Sequence, residues 1–138
     1  MQDLFASHFL CFYISISNEM IFYMLKNKAR IFKALSDPNR LRILKMLQIR
    51  SLCVCEITEV LQLATSTVSK HLSILKDTDF IVEEKSGKWV NYLINTNPSD
   101  QRVSSLLSRL DFWISDETII SNDRILVSKV DRNVLRAK

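Results

Sequence analysis

Between residues 65 and 94 the chain changes its hydrophobic period, and that change limits what it can fold into. Val68, Leu72 and Leu75 recur at the i, i+4, i+7 spacing of one buried helix face. Ile81 to Lys85 and Lys88 to Ile94 are instead rich in β-branched and aromatic residues, as strands are. Ser86-Gly87 lies between them, and Gly87 is the only glycine of the chain. A two-residue hairpin turn often needs a positive φ, which glycine adopts without a Cβ clash. A helix is therefore expected from Thr65 to Lys76, followed directly by a β-hairpin.

Upstream, Lys26 to Leu35 reads as a helix. Ser36-Asp37-Pro38 stops it and starts another, with Asp37 as cap and Pro38 where a missing N–H costs nothing. That second helix runs from about Asn39 to Gln48, and Arg40, Arg42 and Lys45 are expected on its more exposed side. Residues 51 to 63 read as a third helical unit, and Gln62-Leu63-Ala64 as a tight turn into the helix at Thr65. Downstream, Asn97-Pro98 opens a helix to about Ile114, with Val103, Leu106, Leu107 and Leu110 inward, and Ile119 to Val130 has a weaker helical pattern. The fold class is mainly α with a β-hairpin wing, on the winged helix-turn-helix plan. The division expected is an apolar extension over 1–25, the winged domain over 26–114 and a tail over 115–138.

Composition narrows the function. A single glycine excludes a Gly-rich phosphate loop or dinucleotide fingerprint. No base–nucleophile or carboxylate pair has convincing spacing, so no catalytic residues are expected. The net charge of +4 permits an acidic partner. Lys26, Lys28, Arg30, Lys33, Arg40, Arg42, Lys45 and Arg50 crowd one stretch, opposed there only by Asp37. The three cysteines, Cys11, Cys53 and Cys55, an odd count with an adjacent-but-one pair, are not expected to form a disulfide framework and suit a reducing, cytoplasmic setting.

Residues 4 to 25 are rich in apolar side chains but interrupted by Ser15, Ser17, Asn18 and Glu19. A span needs about 20 mostly apolar residues, and a signal peptide needs a basic front. Neither a membrane partner nor secretion is expected. Two readings stay open: an extra helix packed on a dimer, or translation starting at Met20 or Met24.

In a helix-turn-helix the second helix enters the major groove. Here its outer surface would offer Thr65, Ser66, Thr67, Ser69, Lys70 and His71, with Lys85 and Lys88 of the hairpin on the adjacent backbone. Arg40 would represent the basic stretch. Hydroxyls and lysine suit phosphates and base edges.

Four segments carry a resemblance. Phe32 to Leu44 (FKALSDPNRLRIL), Leu52 to Ile57 (LCVCEI), Thr67 to Leu75 (TVSKHLSIL) and Lys85 to Tyr92 (KSGKWVNY) together resemble the ArsR family of metal-responsive repressors. The match covers roughly residues 28 to 96. It implies a homodimer built through the first and last helices, bound to a double-stranded operator with half-sites about 34–36 Å apart, and released by an inducer. The chain departs from the family pattern at Ala64 and Thr65, so Thr65 is expected to take over helix capping. A second family site on the last helix needs Asp and His ligands. That helix offers Asp100 and Asp111 but no His, so no such site is expected.

Cys53-Val54-Cys55 resembles the metal-binding motif of the family. Thiolates are soft ligands for arsenite, the favoured inducer, or another thiophilic metal. On an ideal helix residues i and i+2 point about 200° apart, whereas in an extended or frayed segment they share a side, so a shared ion is expected to distort the start of the third helix and, through it, the recognition helix. Cys11 is a candidate third ligand. Two rival readings stay open: a redox or persulfide switch at the same cysteines, and a winged helix that binds protein rather than DNA, since Asp77, Asp79, Glu83 and Glu84 oppose Lys70, Lys76, Lys85 and Lys88.

Overall fold

The computed structural model describes the backbone of residues 2–137 and the side chains of residues 4–137. They fall into two compact units, Met1–Lys33 and Ala34–Lys138. The first is helical: α1 runs without a break over Gln2–Ala34. Ser15, Ser17, Asn18 and Glu19 all lie within it, and the Ser17 hydroxyl donates to the Ile14 carbonyl at 2.9 Å, inside the helix itself. Phe5, Phe9, Phe12, Tyr13, Met20 and Tyr23 of this unit are all exposed, and by length and composition alone Leu4–Ala34 could cross a membrane.

The second unit follows the order expected from the period change. Helix α2 spans Pro38–Ile49, with Asp37 Oδ1 accepting from the Asn39 and Arg40 amides. Next come β1, Leu52–Cys53, and α3, Val54–Leu61. Gln62 takes the left-handed conformation, φ 55°, to turn the chain into α4, Thr65–Asp77. Strands β2, Ile81–Ser86, and β3, Trp89–Ile94, form the hairpin, with Ser86 opposite Trp89 and Gly87 at φ +60°. Asp79, also at positive φ, joins α4 to the hairpin. Its carboxylate accepts from Asn95 and from the Ser99 amide, which fixes the chain beyond β3.

Three expectations are corrected here. The segment from residue 51 is not helical throughout, because Leu52 and Cys53 pair with Tyr92 and Asn91 and give the sheet the order β1-β3-β2. Helix α5 starts at Gln101, not at Asn97-Pro98, because Asp100 supplies the cap through its bond to the Arg102 amide. The segment 115–138 is not a tail. It carries α6, Thr118–Lys129, which packs on α2 and α3, and α7, Arg132–Arg136, which packs on α3. Ile120 and Val127 join the core with Ile43, Leu44, Val68, Leu72, Leu75 and Phe80.

Candidate nucleic-acid interface and cysteine site

The buried stripe Val68, Leu72, Leu75 fixes how α4 rolls on the core. Thr65, Ser66, Thr67, Ser69 and Lys70 are left in solvent, as are Lys85 and Lys88 on the hairpin. The α4 N-terminus has no side-chain cap: Ala64 is the N-cap, and Thr65 does not take over that role. Thr67 and Val68 donate to the Ala64 carbonyl, which leaves the Thr65 and Ser66 amides for an outside acceptor.

His71 and Arg40 differ from the sequence reading. Both were expected outside, and both are buried, at 9% and 8% exposure. Arg40 Nε donates to the Ala34 carbonyl at 2.6 Å, while Nη1 lies 3.4 Å from His71 Nδ1 and 3.6 Å from Asp37 Oδ2. A guanidinium holding these partners ties the start of α2 to α4 and is unavailable to a phosphate. Arg42 and Lys45 are likewise drawn in. Arg42 makes a two-pronged contact to the buried Asp123 of α6, at 2.7 and 2.8 Å. The hydrogen bond and charge of that carboxylate raise the pKa of Arg42 above its ordinary value. Lys45 bonds Asp111 of α5.

The cysteines meet at the β1–α3 junction. Cys53 has extended backbone, φ −84° and ψ 167°, and is the N-cap of α3, so it does not share the helical rotation of Cys55. The two sulfurs are bonded, with Cα atoms 5.5 Å apart. The expectation that helical geometry holds them on opposite sides is thus corrected: the junction already brings them together. Cys53 is buried and Cys55 half-buried, whereas Cys11 is exposed and lies in the other unit. Among the described residues, no cluster of three or more His, Cys, Asp or Glu side chains could hold a metal ion. The pair therefore fits a thiophilic ion only as part of its ligand set. Asp100 and Asp111 have structural roles, as the α5 cap and the Lys45 partner.

Several residues around this pair were missed from sequence. Glu56 is buried and accepts from the Cys53 amide at 2.9 Å and from Arg50 at 3.1 Å. Arg50 also donates to the Val127 and Val130 carbonyls of α6 and its C-cap. On the other side Arg132 of α7 donates to Asn91 Oδ1 at 2.7 Å, and Asn91 is the ladder partner of Cys53. An acidic residue three positions after an N-cap is a capping-box signal, and it could have marked Glu56 had Cys53 been recognised as the cap. The Asn91–Arg132 contact left no signal in sequence.

A family profile described as "Bacterial regulatory protein, arsR family" matches residues 37–82. An uncharacterized HTH-type transcriptional regulator of Methanocaldococcus jannaschii is 42% identical over 84 residues, covering 60% of this chain and 90% of that protein. The chain belongs to the ArsR family. It is accordingly a DNA-binding regulator of transcription and not an enzyme. The arsenical resistance operon repressor of Bacillus subtilis is 38% identical over 86 residues, 62% of this chain and 78% of that one. Among solved structures, the homodimeric winged helix-turn-helix domain of a possible ArsR-family regulator from Mycobacterium bovis superposes with a TM-score of 0.57. It is 24% identical, covering 70% of this chain and 85% of that one, and so speaks for the fold.

Proposed function

We propose that this chain is a cytoplasmic, dimeric repressor that leaves its operator when a thiophilic metal or metalloid, arsenite above all, binds Cys53 and Cys55. The observation that carries the reading is the meeting of the two sulfurs at the first turn of α3, the helix that packs on α4. Once their bond is reduced, thiolates in that position suit soft ions. The arsenical resistance repressor among the relatives supports the same ligand class.

DNA contact is assigned to Thr65, Ser66, Thr67, Ser69 and Lys70 on α4, and to Lys85 and Lys88 on the wing. The exposure of those side chains, and the uncapped start of α4, suit phosphate contacts. Dimerisation is assigned to α1 and α5. Phe9, Phe12 and Tyr13 on the one and Phe112 and Trp113 on the other leave apolar area in water that a partner would cover, and the Mycobacterium bovis domain is a homodimer. Ligand and DNA are coupled through the Cys53 cap. Drawing Cys53 and Cys55 around an ion disturbs the Glu56 bond to the Cys53 amide on one side and the Asn91 pairing on the other. The first supports α3 under α4, and the second leads into the wing strand β3.

A fluorescent operator assay with the gene's own upstream DNA tests this. Cys53→Ser/Cys55→Ser should bind the operator as the parent does and ignore arsenite. Arsenite release of that variant would refute the sensor role. The bond between the two sulfurs favours one second reading, a dithiol–disulfide switch. Peroxide or polysulfide, rather than arsenite, would then release the reduced protein.

A further inference from the structure

Trivalent arsenic takes three ligands, and the Cys53–Cys55 pair supplies two sulfurs. Among the described residues no third ligand completes a cluster with them. Glu56 at the Cys53 amide is already paired with Arg50, and what lines the open side at Cys55 is positive charge. Cys55 opens onto a cavity of about 440 Å³ lined also by Lys88, Trp89, Arg132, Leu135 and Arg136, within the size range of small-molecule sites. None of these lining residues is acidic. The three cations gather on one indole: Lys88 Nζ lies 5.5 Å from the Trp89 ring centroid, and the Arg132 and Arg136 guanidinium carbons lie 5.6 and 6.0 Å from it. The negative face of the ring holds like charges near one another. Such a wall gains nothing from uncharged arsenous acid and much from an anionic ligand.

We propose that the site takes arsenic(III) together with a small anionic thiol, which supplies the third sulfur while its carboxylates lie against Lys88, Arg132 and Arg136. This rests on the sensor reading above and names the form of inducer. The bond between Cys53 and Cys55 is first reduced by two molecules of the small thiol, which leave as one small disulfide. Arsenous acid then exchanges its three hydroxyls for the Cys53, Cys55 and small-thiol sulfurs. Three waters leave, three thiol protons go into them, and arsenic keeps its oxidation state. Arginine forks suit carboxylates, and Leu135 and the indole cover the organic stem. The ligand thus bridges α3, the wing and α7 in one contact.

The test uses the full chain, reduced, with arsenite titrated against the operator complex. The added thiol is glutathione (anionic), 2-mercaptoethanol (neutral) or cysteamine (cationic). With glutathione, half-release should come at about tenfold lower arsenite than with 2-mercaptoethanol, the effect of one charge-assisted contact, and cysteamine should be the poorest. Native mass spectrometry should find the protein with one arsenic and one glutathione, less three protons. Arg136→Glu, on an exposed residue of α7, should abolish the ranking yet keep the 2-mercaptoethanol response. Arg136→Gln, the milder change, should reduce the ranking in part. Equal release with all three thiols, or an unchanged ranking in Arg136→Glu, would overturn the anionic thiol while leaving arsenite sensing intact. Release with none of them would overturn both.

Discussion

The cations of α2 and those of α4 and the wing are held in opposite ways. On α2, Arg40 faces Ala34, Asp37 and His71, Arg42 grips Asp123, and Lys45 bonds Asp111. Lys70, Lys85 and Lys88 stay in solvent. The carboxylates that engage Arg42 and Lys45 stand 81 and 66 positions away. A basic run in sequence is therefore not a basic surface. Its charge is neutralised wherever folding brings acids against it, and here α2 holds the domain together while α4 and the wing keep the free charge. For a regulator that must hold phosphates, the smaller set of lysines is the one that faces outward.

The strongest test of that contrast is Arg42→Ala. Asp123 is almost fully buried, and its carboxylate would lose both bonds from Arg42. Breaking a buried pair from one side costs about 3–5 kcal/mol, read as a lower urea midpoint. Arg42→Leu combined with Asp123→Leu should recover much of it, since no charge is left unpaired. A midpoint that stays put in Arg42→Ala would show that α6 does not depend on this pair and would dissolve the contrast.

The second test sets one residue from each region side by side. Arg40→Ala should cost roughly 1.5–3 kcal/mol of stability, the worth of charged hydrogen bonds, and leave the salt dependence of operator binding alone. Lys70→Ala should do the reverse. Stability is unchanged, affinity falls, and the slope of log K against log salt flattens by about 0.9, one phosphate. If Arg40→Ala flattened the slope as Lys70→Ala does, the buried guanidinium would have to reach DNA after all.

Legibility in the sequence followed the range of the interactions. The α4 stripe, the Asp37 cap and the Gly87 turn rest on residues close in sequence, and the expected elements match the structure closely there. The two-residue strand β1 was hidden because Leu52 and Cys53 become strand only by pairing with Tyr92 and Asn91, far along the chain. The same holds for Arg40 and His71, whose types suggest solvent and whose burial depends on each other and on Asp37. At the cysteines the helical reading missed the geometry. Helical phase assumes regular backbone, and Cys53 lies just outside the helix, where the phase does not apply.

The smallest effect is expected at Lys76 of α4, a lysine that does have an acid beside it. Its ammonium bonds Glu83 of β2 at 3.1 Å across open surface. That carboxylate raises the Lys76 pKa, through the hydrogen bond first and then its charge. A raised ammonium pKa means that whatever the pair contributes is fully present at neutral pH. It is lost only as pH climbs through the raised value. Exposed pairs contribute little, so Lys76→Ala should unfold with the parent's midpoint at neutral and mildly alkaline pH alike. Operator affinity should fall slightly, because Glu83 would then face the phosphates with no cation beside it. A clear loss of stability instead would mean that α4 and the hairpin depend on this contact for their relative placement, and the division between a structural α2 and a free recognition surface would have to be drawn elsewhere.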